Sequence, residues 1–272
     1  MIFRTRKGSE RDYCVIAVTS CKGGIGKSTI AANLSYALSQ IGRKVLCVDC
    51  DFSNRSLDLF FGCEDRAKFG VSDLVSGRAG PADTVVRLFS DRLFFIPGSS
   101  DGTSLFDTDS FSRALDAAVA HSSCDTVIID TPGASEEILD VCCSVSDAGL
   151  IAVSHNPASV RGAEKTGRLL AGYGVGSRYL VINRFDARAV AEGRRLGINS
   201  LIDAVNIPLI GVIPDSPKLE AAQESGRTAA SVEGDRTRAA AAFAELAARL
   251  TGKNIPLMSY LPERRRRILI CS

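Results

Sequence analysis

"SCKGGIGKST", residues 20–29, decides how this chain reads. It follows the apolar run "CVIAVT" (residues 14–19) and opens "STIAANLSYALSQIG" (residues 28–42). A β-rich run, a glycine-rich turn and a helical pattern in that order are the context a phosphate-binding loop requires, and the general pattern is G-x-x-x-x-G-K-[ST]. Gly26, Lys27 and Ser28 fit its end. Cys21 stands where the pattern has its first glycine, and Lys22 adds a second lysine on the entry side. Glycines at 23, 24 and 26 allow positive φ and a close backbone approach. The N–H groups of Gly23, Gly24, Ile25, Gly26, Lys27, Ser28 and Thr29 are expected to point at phosphate oxygens, helped by the positive end of the helix dipole. In such loops the lysine, here Lys27, reaches the β- and γ-phosphates, and the hydroxyl, here Ser28, holds Mg²⁺.

Working outward, short runs rich in Val and Ile alternate with helical patterns. The runs are "CVIAVTS", "KVLCVDC", "RLFFIPG", "DTVIIDTPG", "AGLIAVSH", "RYLVINR" and "PLIGVIP". Their length and composition suit strands buried on both faces. Between them, Ile30, Leu34, Leu38 and Ile41 recur at helical spacing before Gly42, and Ala239, Phe243, Leu246 and Leu250 do the same near the end. Strand–helix alternation predicts an α/β fold with a mostly parallel sheet covered by helices on both faces. The predicted boundaries are a basic extension over residues 1–12, one domain over 13–252, and a basic, apolar tail over 253–272.

Composition narrows the classes. The 272 residues are 45 % hydrophobic and 24 % charged, with a formal net charge of +2. That chain length supports a core without disulfides, and that charge gives no global field toward nucleic acid or lipid. No apolar run approaches the roughly 20 residues of a spanning helix. "MIFRTRKGSERDY" has no apolar core of the kind a secretory signal needs. Several of the nine cysteines fall within apolar runs, and Cys47 and Cys50 lack a second pair or a His to complete a zinc set. They read as reduced thiols packed as small hydrophobes. "DTVIIDTPG" ends its apolar run in Asp130, an acid placed to hold Mg²⁺ through water at the carboxyl end of a strand.

These motifs together resemble the MinD/ParA family of deviant Walker A ATPases. "KGGIGKS" is similar to its deviant Walker A, "VIIDTPG" to its Walker B, and "VINR" and "LIGVIPDS" to its adenine-binding segments. "VLCVDCDFSNRSLDLFFG" is similar to the MinD branch, including Arg55, Leu57, Asp58 and Gly62, with Ser56 where that branch usually has Asn. The likeness runs from about residue 14 to 225 and implies a P-loop NTPase of the SIMIBI type, with ATP and Mg²⁺ as ligands. It implies that Lys22 reaches across an ATP-dependent homodimer to phosphate held by the other subunit. It further implies that Asp51 orients the attacking water, that Asp49 helps Ser28 and Asp130 hold Mg²⁺, that Asn183 reads the adenine amino edge, and that Pro214 and Asp215 border the base.

The function implied is an ATP-hydrolysing switch that helps position the cell-division site with protein regulators. The implied location is cytoplasmic, with peripheral attachment to the inner face of the cell membrane as a candidate. "LPERRRRILICS", with its arginines ahead of Ile268, Leu269 and Ile270, is the candidate contact with anionic lipid. A ParA-type DNA-partitioning ATPase is the lesser alternative, since "RTRK", "GRRLG" and "ERRRR" are scattered. A flagellar-number regulator of the same superfamily is another.

Overall fold

The computed structural model describes residues 11–20, 22–66, 68–99, 107–133, 136–228, 237–259, 261, 263, 265 and 266. The Val- and Ile-rich runs become strands β1 (Cys14–Thr19), β2 (Val45–Asp49), β4 (Leu93–Ile96), β5 (Thr126–Asp130), β6 (Ala148–Val153), β7 (Ser177–Phe185) and β8 (Leu209–Pro214). A two-residue strand, β3 (Val86–Arg87), was not anticipated; it pairs antiparallel with β4 at the edge. The sheet order is β3-β4-β2-β5-β1-β6-β7-β8, and every pair other than β3–β4 is parallel.

Successive residues of a strand face opposite sides, and here both sides are buried. From β1, Cys14, Ile16 and Val18 join one core while Val15 joins another. From β2, Val45 and Cys47 point one way and Leu46 and Val48 the other. The first core is closed by the helices Lys27–Gln40 and Arg238–Leu250, through Ile30, Leu34, Leu38, Phe243 and Leu246. The helices Thr108–Ser122 and Glu136–Val145 close the opposite face. Ile41 departs from expectation: it is 39 % exposed. The first helix ends at Gln40, Ile41 is its C-cap, and Gly42 turns the chain at φ 92°, so the periodic face stops one residue early.

Residues 253–259 and 261, assigned to a tail by composition, lie against the body. Met258 and Leu261 are buried in the core beside helix Ile198–Val205. Arg249 ties this segment down by donating to Ile255 O and Pro256 O at 2.8 and 2.9 Å, and it pairs with Glu245 at 2.6 Å. Of the proposed membrane contact, residues 262, 264 and 267–272, among them Arg264, Arg267, Ile268, Leu269 and Ile270, lie outside the described residues, as do Cys21 and residues 1–10 of the basic extension. Among the described residues, no helix is long and apolar enough to cross a membrane.

Candidate functional site

The site is assembled where β1, β5 and β2 end together. The parallel register places Val18 opposite Asp130, and Asp130 opposite Asp49. The sheet therefore carries two acids, far apart in sequence, to the carboxyl-end crevice where open α/β sheets bind ligands. The glycine loop leaves β1 beside them. Gly24 and Gly26 take φ of 75° and 93°, a hand that costs other residues strain and glycine nothing. Helix Lys27–Gln40 starts directly after Gly26, and Ile30 N closes its first turn on Gly26 O at 3.0 Å.

The two lysines of the loop differ sharply. Lys27 is 5 % exposed and lines the cleft, whereas Lys22 is exposed to solvent. Gly133, after β5, packs over Lys27: a Cβ there would sit 3.2 Å from Lys27 Nζ. The adjacent Thr131 ties that loop to β1 by donating from N and Oγ1 to Val18 O at 3.2 and 3.0 Å. Ser28 is also buried.

Three carboxylates lie at these strand ends in different states. Asp130 is fully buried, and neither oxygen has a hydrogen-bond partner among the described residues. Burial pushes its pKa up from 3.8 to about 7; the nearby Ser28 hydroxyl, outside bonding geometry, and the Lys27 charge hold it down, while Asp51 raises it. Asp49 is buried too, and its pKa is well above the usual range because of desolvation and the facing Asp130. Its oxygens are engaged by the backbone, accepting from Asp51 N at 3.0 Å and Leu57 N at 3.4 Å. Asp49 thus shapes the turn that carries Asp51. Asp51 lines the cleft, with its pKa raised by burial and opposed by Lys27.

The cleft has a volume of about 580 Å³ and is lined by Gly23, Gly24, Gly26, Lys27, Ser28, Thr29 and Asp51. Its far wall is Ser53, Asn54, Ser56 and Phe60, with Gly133 and Arg184 closing it. A second hollow of about 790 Å³ shares Thr29, Phe60 and Arg184 with it and runs on to Glu220 and Gln223. Arg184, with φ 52°, holds a backbone conformation unusual for a side-chain-bearing residue. Gly133, Arg184, Ser53 and Asn54 carry no role from the sequence, although "TPG", "VINR" and "DFSNRS" mark them as strand-end loops, whereas Ser56, at the position where the MinD branch usually has Asn, does line the cleft.

Ile25 lies in the loop with its side chain 8 % exposed. Asn183 is 2 % exposed on β7, and its Nδ2 donates to Ile25 O at 2.8 Å. Pro214 ends β8, and Asp215 is exposed after it, its N–H bonded to Phe185 O at 3.1 Å. Neither lines either hollow. Seven cysteines, Cys14, Cys47, Cys50, Cys63, Cys124, Cys142 and Cys143, are free and buried.

Among the described residues, no three His, Cys, Asp or Glu side chains converge as a ready metal centre. Mg²⁺ needs no such cage, because one or two carboxylates and substrate phosphates hold it. An unpartnered buried carboxylate beside a hydroxyl and a buried ammonium, under a glycine loop, fits Mg²⁺ with a polyphosphate.

Residues 16–229 match the family described as the CobQ/CobB/MinD/ParA nucleotide binding domain. The septum site-determining protein MinD of Thermotoga maritima is 30 % identical over 247 residues, covering 89 % of this chain and 90 % of the relative. The MinD cell division protein of Aquifex aeolicus superposes with a TM-score of 0.80 at 28 % identity, covering 90 % of this chain and 99 % of that one. The MinC:MinD cell division protein complex of Aquifex aeolicus has a chain matching at 0.81 and 28 % identity, over 90 % and 98 %.

Proposed function

Because the chain belongs to the CobQ/CobB/MinD/ParA nucleotide-binding family, we propose that it is a MinD-like, Mg²⁺-dependent ATPase switch. ATP joins two copies, the dimer meets division-site regulators at an anionic membrane on the inner face of the cell, and hydrolysis releases it. The observation that carries the reading is Asp130, a fully buried carboxylate with unpartnered oxygens beside Lys27 and Ser28. The regulator partner draws support from the Aquifex aeolicus MinD relative found with MinC.

Each residue has a distinct task. Backbone N–H groups of Gly23 to Thr29 cradle the phosphates. Lys27, held by burial and by the Gly133 loop, presents its ammonium to the β- and γ-phosphates. When bound, Mg²⁺ would supply positive charge to offset what develops on the phosphates. Ser28 and Asp130 hold that ion, with Asp49 behind them fixing the turn. Asp51 orients the attacking water, which is enough because phosphoryl transfer needs positioning more than covalent chemistry. Asn183, Pro214 and Asp215 serve the adenine side. Lys22, exposed to solvent, delivers its charge to the second copy, as an arginine finger does for on the order of 10³–10⁵ in rate.

The test is phosphate release from ATP with and without Mg²⁺, alongside co-sedimentation with anionic liposomes and with DNA in ATP and in ADP. Turnover that needs Mg²⁺ and liposome pelleting that needs ATP are expected. Pelleting with DNA instead would replace the membrane by a partitioning role, and pelleting indifferent to nucleotide would remove the switch.

A further inference from the structure

We propose that Asn183 is a positioning residue of the phosphate loop, setting affinity for the triphosphate itself as well as for any base. The inference rests on the nucleotide reading of the cleft. Asn183 lies on β7, two strands from β1 in the sheet, so its contact with the loop passes over the end of β6. Its Nδ2 donates to the carbonyl of Ile25 at 2.8 Å, 158 residues away in sequence, and the side chain is 2 % exposed.

A loop that turns its N–H groups toward an anion turns carbonyls the other way, and a buried carbonyl needs a donor. Asn183 supplies it for Ile25. The amide can face only one way there, because its oxygen against the Ile25 oxygen would oppose two acceptors. The next residue confirms how close the contact is. A Cβ on Gly26 would collide with Asn183 Nδ2. Gly26 is therefore required twice, for its φ of 93° and for the space Asn183 occupies. With one Nδ2 hydrogen engaged by the loop, Oδ1 is the acceptor a base amino group would take, and in that case one side chain would couple base recognition to phosphate-loop geometry.

Inorganic tripolyphosphate, which has no base, separates the two roles. Its affinity and that of ATP are measured by calorimetry with Mg²⁺ on the full chain and on Asn183→Leu, with Asn183→Ser as the gentler variant should Leu prevent folding. Circular dichroism establishes the folded fraction. An unpaired buried carbonyl should weaken tripolyphosphate about tenfold, and ATP by at least as much. Unchanged tripolyphosphate affinity in a folded variant overturns the proposal: with ATP weakened, Asn183 reads only the base, and with ATP unchanged it only packs. If the wild-type chain binds neither ligand, the nucleotide reading falls and the proposal with it.

Discussion

Asp130→Asn should make the protein more stable and less able to gain stability from Mg-ATP. The folded carboxyl titrates at about 7 against a reference of 3.8. Below pH 3.8 the group is protonated in both states and costs nothing. Between pH 3.8 and 7 the unfolded chain releases the proton and the native one retains it, so stability falls as pH rises, by about 1.4 kcal/mol per unit. Above pH 7 the loss is complete, with a ceiling of about 4 kcal/mol, the product of that slope and the roughly three-unit shift. Asparagine removes the charge and keeps the shape, and its amide can donate to the neighbouring carboxylates. Allowing for relaxation, a gain of about 2–3 kcal/mol at pH 8 is expected, or roughly 4–5 °C in melting temperature. Scanning fluorimetry without nucleotide, at pH 8 and pH 5, reads it, and the gain should shrink at pH 5. With Mg-ATP at a hundredfold its dissociation constant, wild type should gain about 2.7 kcal/mol and the variant much less. Equal melting temperatures at pH 8 would show that Asp130 carries no burial cost, and equal stabilisation by Mg-ATP would show that it does not hold the ligand.

Lys27→Ala should abolish ATP binding, and calorimetric affinity surviving the change would remove the phosphate-loop assignment. Lys22→Ala should bind ATP yet lose dimerisation, hydrolysis or both, while Asp51→Ala should give an ATP-loaded dimer that turns over poorly; light scattering and phosphate release distinguish them. Burial raises the thiols of Cys14, Cys63 and Cys143 to about 12 and that of Cys124 to about 11. At pH 8 these four should react with an aromatic disulfide only on unfolding, and rapid labelling of native protein would contradict the packing. Arg249→Met should cost about 3–5 kcal/mol, because it removes the cation paired with buried Glu245 and the donor to the Ile255 and Pro256 carbonyls; a urea midpoint unchanged from wild type would show that residues 253–259 are not held there.

The seven longer strands were legible because each is a short Val/Ile run ended by a polar or turn residue. The periods of the first and last helices were legible for the same reason: their buried sets touch one core. β3 was not, since two residues carry no period and Val86–Arg87 is a strand only through its partner β4. The helix Leu57–Phe61 is likewise too short to announce itself; a five-residue helix is held by what packs on it. Strand order was out of reach, because like runs of Val and Ile do not say which neighbour each will choose. Composition also misled at residue 253, where polar and proline-containing sequence hides the buried Met258 and Leu261.

The site divides along the same line. Its local part, the glycine loop and the first turn after it, is contiguous in sequence, so residue type and spacing were enough. Its non-local part depends on register: Asp49 and Asp130 meet only because β2 and β5 pair in parallel, and Asn183 reaches Ile25 only because β7 lies two strands from β1. Burial then accounts for the loop's two lysines. Lys27, 5 % exposed and covered by Gly133, is confined to the cleft. Lys22, in the same loop, is exposed to solvent. A charge that must act on another molecule has to be desolvated by that molecule's arrival, because the same charge in water contributes little. In the proposed switch, an exposed second lysine would make its contribution conditional on a partner, which a second buried one would not.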